Sequence, residues 1–87
     1  MEPEEALGVV LRSLRKQQGL SQEALALDAG VERNYISLIE LGKNSPSIRI
    51  LFKLSKALDI SPSALLAHVE EHLQDSLKKK RQGKKPA

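Results

Sequence analysis

The 87-residue sequence predicts an all-α fold of five short helices. Apolar residues recur at three- and four-residue steps along nearly the whole chain. Glycines and Ser-Pro or Asn-Ser-Pro turns break that pattern into short stretches, and no period-2 alternation of a strand is present.

Leu7, Val10, Leu11 and Leu14 form the inner stripe of the first helix. Pro3 suits its first turn, Glu4 and Glu5 complement its dipole, and Gly19 is a stop signal. Gly8 lies inside this helix, where glycine costs about 1 kcal/mol relative to alanine. Its presence there points to close approach of a neighbouring helix. Ser21 is a good N-cap for a second helix, Gln22–Ala29, which directs Leu25, Ala26 and Ala29 inward. Gly30 ends it. Val31 leads into a third helix, roughly 32–41, with Ile36 and Ile39 facing the core and Gly42 beyond its end. After the Asn44-Ser45-Pro46 turn, Ser47 caps a fourth helix with Ile50, Leu51, Leu54, Ala57 and Leu58 inside. Ser61-Pro62 opens the fifth, which carries Leu65, Leu66, Val69 and Leu73 on one side.

Residues 1–77 form one domain in this reading. The stretch 78–87, Lys-Lys-Lys-Arg-Gln-Gly-Lys-Lys-Pro-Ala, has nothing apolar to bury and is expected to be a disordered basic tail. It accounts for the sign of the net charge. The chain is +3 overall, yet residues 1–77 carry eight basic against eleven acidic side chains. A solubility feature, a non-specific DNA arm and a partner site are all compatible with such a tail.

Composition excludes several function classes. With no cysteine there is no disulfide framework, thiolate metal site or cysteine nucleophile. No apolar run approaches the roughly 20 residues that span a bilayer, and the acidic start lacks the basic region of a signal peptide. The expectation is a cytoplasmic protein without a membrane partner. Phe52 and Tyr35 are the only aromatic residues, too few for a single-strand stacking platform. His68 and His72 are spaced i, i+4 with Glu71 between them, but a zinc site needs a further ligand. They read as surface histidines, with no metal and no cofactor. No nucleophile, acid/base pair or phosphate loop is evident, so no catalytic residue is assigned and no enzyme is expected.

Helices two and three, joined at Gly30-Val31, have the pattern of a helix-turn-helix unit. The run Leu20-Ser21-Gln22-Glu23-x-Leu25-Ala26-x-x-Ala29-Gly30-Val31, continuing to Tyr35-Ile36-Ser37-x-Ile39-Glu40-x-Gly42-Lys43, resembles the phage-repressor and Cro-like (XRE) helix-turn-helix regulators. Leu11-x-x-Leu14-Arg15 upstream, and Pro46-Ser47 with Leu51-x-Lys53-Leu54-x-Lys56-Ala57-Leu58 downstream, extend the resemblance over about residues 6–70. The size and the run Arg33-x-Tyr35-Ile36-Ser37 also resemble the small controller proteins of restriction–modification systems.

The resemblance implies a lambda-repressor-like domain whose third helix enters the major groove of double-stranded DNA. Arg33, Asn34, Ser37 and Tyr35 then read bases. Arg33 can donate two hydrogen bonds to guanine, and Asn34 can pair with adenine. Gln22, Ser21, Lys43 and Asn44 contact phosphates, and Arg15 with Glu40 forms a structural salt bridge. Glu32, next to the reading positions, is expected to cap the third helix and select against some bases. Leu38 and Leu41 are either half-buried at the core's edge or exposed for apolar contact. Arg12 and Lys16 read as surface charge. The implied protein is a homodimer on a two-fold operator, with Leu65, Leu66, Val69 and Leu73 of the fifth helix at the interface. No small-molecule ligand is expected. The alternative is a protein-interaction module, coactivator-type or antitoxin-like, on the same fold.

Overall fold

The computed structural model describes residues 1–83, with side chains described through Lys78. It contains helices α1 (Pro3–Gln17), α2 (Gln22–Ala29), α3 (Arg33–Glu40), α4 (Ile48–Ala57) and α5 (Pro62–Gly83), and no strand among the described residues. The expected all-α, five-helix fold is what forms.

Each start follows from local chemistry. Glu2 N–H donates to Glu5 Oε1 at 2.9 Å ahead of α1. Ser21, Ser47 and Ser61 hydroxyls accept from the amides of Ala24, Ile50 and Ala64 at 3.0, 3.3 and 3.1 Å. Each satisfies an amide that has no carbonyl partner inside its helix. Glu32 precedes α3 but makes no side-chain capping bond, so the capping role open to it in the sequence is not taken.

The first four helices also end alike. After α2 the amide of Val31 donates to Ala26 O at 2.9 Å, and that of Gly30 to Leu27 O at 3.2 Å, with Gly30 left-handed at φ 70. This is a Schellman motif. The same pairing closes α4, where Ile60 N–H reaches Ser55 O at 3.0 Å. There the left-handed residue is Asp59, φ 55, in place of a glycine.

The core runs through all five helices: Leu7 and Leu11 of α1, Leu25 and Ala29 of α2, Ile36 and Ile39 of α3, Leu51 and Leu54 of α4, and Leu65 and Val69 of α5. In α4, Ile50 and Ala57 are only half-buried. The fully buried Ser55 joins the inner face instead, with its hydroxyl donating to Leu51 O at 2.8 Å. That bond lets a polar side chain sit inside without an unmet donor.

Two expectations for the C-terminal part change. Leu65 and Val69 are consumed by the chain's own core, so of the four side chains assigned to a dimer interface only Leu66 is exposed, with Leu73 half-buried. The expected boundary at residue 77 falls inside α5, which continues to Gly83. Lysine, arginine and glutamine are good helix formers, and cations suit the negative end of a helix dipole, so a polar stretch can extend the helix. Residues 84–87 of the expected tail lie outside the described residues. Among the described residues no helix is long and apolar enough to cross a membrane.

Gly8 explains how closely α1 and α3 approach. A Cβ at this position would stand 2.6 Å from the carbonyl oxygens of both Ile39 and Glu40. Two backbones are in contact there, with no flexible side chain able to yield. Gly8→Ala is therefore expected to destabilise the protein by about 1–3 kcal/mol, the usual scale of overpacking, although alanine favours a helix interior. Urea denaturation of the two proteins measures the sign and size.

Candidate nucleic-acid interface

Three helices meet around one acidic side chain. Glu40, at the end of α3, accepts from Arg15 Nε at 2.6 Å through Oε2 and from Arg15 Nη2 at 3.0 Å through Oε1. The pair is bidentate, which favours a single geometry. Arg15 Nη1 donates to Leu20 O at 2.9 Å, in the turn between α1 and α2. Gln22 Nε2, in the first turn of α2, donates to Glu40 Oε1 at 3.0 Å. One carboxylate thus ties α1, α2 and α3 together.

The two charged side chains are only 10% and 4% exposed. The hydrogen bond from Arg15 to Glu40 raises the guanidinium pKa above its ordinary value, and its burial pulls the other way. Arginine keeps its charge at every pH at which the protein is folded, so this pair does not come apart through Arg15 as pH rises.

The residues singled out in the sequence distribute as follows. Arg33 and Asn34 stand exposed on the first turn of α3, while Ile36 and Ile39 on its other side are fully buried. Ser37 is half-buried one turn further on. Tyr35 is also half-buried and packs against the core, so part of its ring is already engaged. Ser21 is exposed with its oxygen capping α2. Gln22 is half-buried with its amide nitrogen on Glu40. Lys43 is exposed immediately after α3, and Asn44 is half-buried with its backbone amide on Leu38 O at 3.3 Å. Leu38 is half-buried, and Leu41 is 64% exposed.

Arg12 is the residue that sequence reasoning set aside. It lines a cleft with Arg15, Gln22, Ser37, Glu40 and Leu41, and so belongs to the same face as the polar residues of α2 and α3. The signal was available: Arg12 precedes Arg15 by three residues, which puts the two on neighbouring positions of one helix face.

Two short helices joined by a glycine turn, the second presenting polar side chains from its first turn, define a helix-turn-helix protein. The chain belongs to the HTH_3 helix-turn-helix family, whose model matches residues 11–65. The control protein C.BamHI of Bacillus amyloliquefaciens is 40% identical over 60 residues, covering 68% of this chain and 74% of that protein. The restriction–modification controller C.AhdI of Aeromonas hydrophila superposes with a TM-score of 0.70 at 42% identity, over 71% of this chain and 94% of that one. The clp gene regulator ClgR of Corynebacterium glutamicum reaches a TM-score of 0.83 at 26% identity, over 94% of this chain and 88% of that one.

Removing one member of a buried ion pair leaves the other charge stranded, at a typical cost of about 3–5 kcal/mol. Glu40→Leu and Arg15→Met are each expected to lose stability on that scale. The double variant should recover most of it, because no lone charge remains buried. A double-mutant cycle by thermal or urea unfolding tests this. Additive losses would mean that the two side chains do not act as a pair.

Proposed function

We propose that the protein is a sequence-specific, double-stranded-DNA-binding transcriptional regulator that acts as a homodimer on a two-fold operator, with α3 in the major groove. One observation carries the reading: α3 offers Arg33 and Asn34 to solvent from its first turn while Ile36 and Ile39 anchor its opposite side. A recognition helix contacts base edges from this end. Arg33 suits the two acceptors of guanine, and Asn34 suits the donor and acceptor of adenine. Ser37 reaches the same groove, and the exposed part of Tyr35 contacts a phosphate or a thymine methyl. The regulator and controller relatives named above support the same role for this chain.

Phosphate contacts fix the register of the helix without reading sequence. Gln22 has a second amide N–H beyond the one held by Glu40, and the Ser21 hydroxyl can donate while its oxygen caps α2. Lys43, Asn44 and Arg12 complete this set. The acid of Glu40 is masked by Arg15, which lowers its repulsion toward phosphate.

A single module reads few base pairs, and a dimer doubles them with matched two-fold symmetry. The apolar surface available for pairing comes from Ile48 and Phe52 of α4 and Leu66 of α5, which are 70%, 57% and 47% exposed. Exposed Leu27 and Leu41 favour a second reading, in which the same fold docks onto another protein.

Arg33→Ala with Asn34→Ala is expected to erase most sequence preference, each contact being worth about 1–3 kcal/mol of discrimination. The measurement is binding to a duplex selected from a random pool, compared with a scrambled duplex. An unchanged ratio between the two duplexes would remove the groove-reading assignment. Phe52→Glu with Leu66→Glu is expected to shift the protein from dimer to monomer in sedimentation velocity at micromolar concentration. A dimer that survives both changes would place the interface elsewhere.

A further inference from the structure

The basic stretch at the end of the chain has a place in the fold. Val9, Val10, Ser13, Leu14 and Gln17 of α1 share a shallow hollow with His68, Glu71, His72 and Asp75 of α5. Nearer the helix starts, Pro3 and Leu7 share another hollow with Leu66 and Val69. Both sets of neighbours advance together, so α1 and α5 run parallel. Asp75 is level with Gln17, the last residue of α1.

Beyond that level α1 stops, and α5 continues for eight more residues to Gly83, about 12 Å at the helical rise. The molecule is accordingly elongated, 50 × 24 × 23 Å. The end of α1 leads directly through Gly19 and Leu20 into Ser21 and Gln22 at the start of α2. The continuation of α5 therefore leaves the body at the end that carries Ser21 and Gln22, two of the proposed phosphate contacts, whereas Lys43 and Asn44 follow Gly42, which packs on Glu5 near the start of α1. It contains Lys78, Lys79, Lys80 and Arg81, and no acid follows Asp75 in the sequence.

We infer that this continuation is a basic helical arm that lies along DNA phosphates beside the base-reading helix. The inference rests on the DNA-binding reading above. Charge complementarity selects the partner: four consecutive cations, Lys78 to Arg81, with no acid after Asp75, make a local field that suits a polyanion. A cation carried on a continuous helix is held in place before binding, and less chain entropy is lost when it meets the backbone. Contacts of this kind add affinity and salt dependence without adding sequence preference.

The test compares the full chain with a variant carrying Lys78→Gln, Lys79→Gln, Lys80→Gln and Arg81→Gln, on the selected duplex across a series of salt concentrations. Each phosphate contact contributes about 0.9 to the slope of log affinity against log salt. The variant's slope is expected to be shallower by about 2–4, with an unchanged ratio between selected and scrambled duplex. A second variant, Leu77→Pro, keeps the charges but interrupts the helix, and should give an intermediate slope. An unchanged slope in the Gln variant overturns the arm. A full wild-type slope in the Pro variant overturns its helical character. Loss of cation-dependent binding to anionic lipid vesicles, with an unchanged slope on DNA, would assign the stretch to a membrane surface and likewise overturn the proposal. Failure of the underlying reading is separate: the unmodified chain would then show no preferred duplex at all.

Discussion

The Glu40 carboxylate is the constraint on which the rest of the arrangement depends. It is nearly buried, and a buried charge is tolerated only where its lone pairs are met. Arg15 and Gln22 meet them from two different helices, and Arg15 is itself fixed to the carbonyl of Leu20. Four residues apart in function but one in geometry, these groups set where α3 ends relative to the starts of α2 and the turn before it. The backbone contact at Gly8 closes the same joint from the other side, because it leaves no room for α3 to approach α1 in a second way. An eight-residue helix such as α3 has little stability alone. Its position is lent to it by Ile36, Ile39, Gly8 and the ion pair.

This joint also settles how an acidic body can present a face suited to an anion. Glu40, the acid that Arg15 and Gln22 contact, is neutralised where it stands, while Glu23 and Glu32 stay exposed beside Gln22 and Arg33. What remains exposed on that side includes Arg12, Arg33 and Lys43. The net charge of residues 1–77 says little about this, since a field a few ångströms from a surface is set by the nearest groups.

Most of the fold was legible because each helix carries its own stop and start signals. The serine caps at Ser21, Ser47 and Ser61, the glycines at 19, 30 and 42, and the apolar stripes together locate all five helices. The end of α4 was less marked, since Asp59 takes the left-handed position there and aspartate is not a distinctive signal for it. Leu65 and Val69 illustrate a deeper limit. An apolar stripe states that a face is covered, not by what, and Leu65 and Val69 join the core of their own chain, where α5 packs on α1 and α4. The i, i+3 spacing of Arg12 and Arg15 puts them on one face of α1, but that this face meets α2 and α3 in a cleft shows only in the fold. The Lys78–Arg81 stretch has nothing apolar to bury and is nevertheless helical. A helix already nucleated by packed residues can propagate through good helix formers with no further burial, since the costly first turn has been made elsewhere.

That last point bears on how the molecule divides its tasks. The same α5 covers the core with Leu65 and Val69, exposes Leu66, and then continues past the end of α1 with a run of cations in its sequence. Rotation or withdrawal of α5 would disturb all three at once, because a helix transmits displacement along its length. Anything that orders the pairing surface around Leu66 therefore also orders the direction of the basic stretch. If pairing and phosphate contact both operate, they are coupled through one rigid element rather than through a chain of side-chain rearrangements. The coupling requires no ligand and no appended sensory unit. On the proposed reading, protein concentration alone, by filling the pairing surface, would tighten DNA binding.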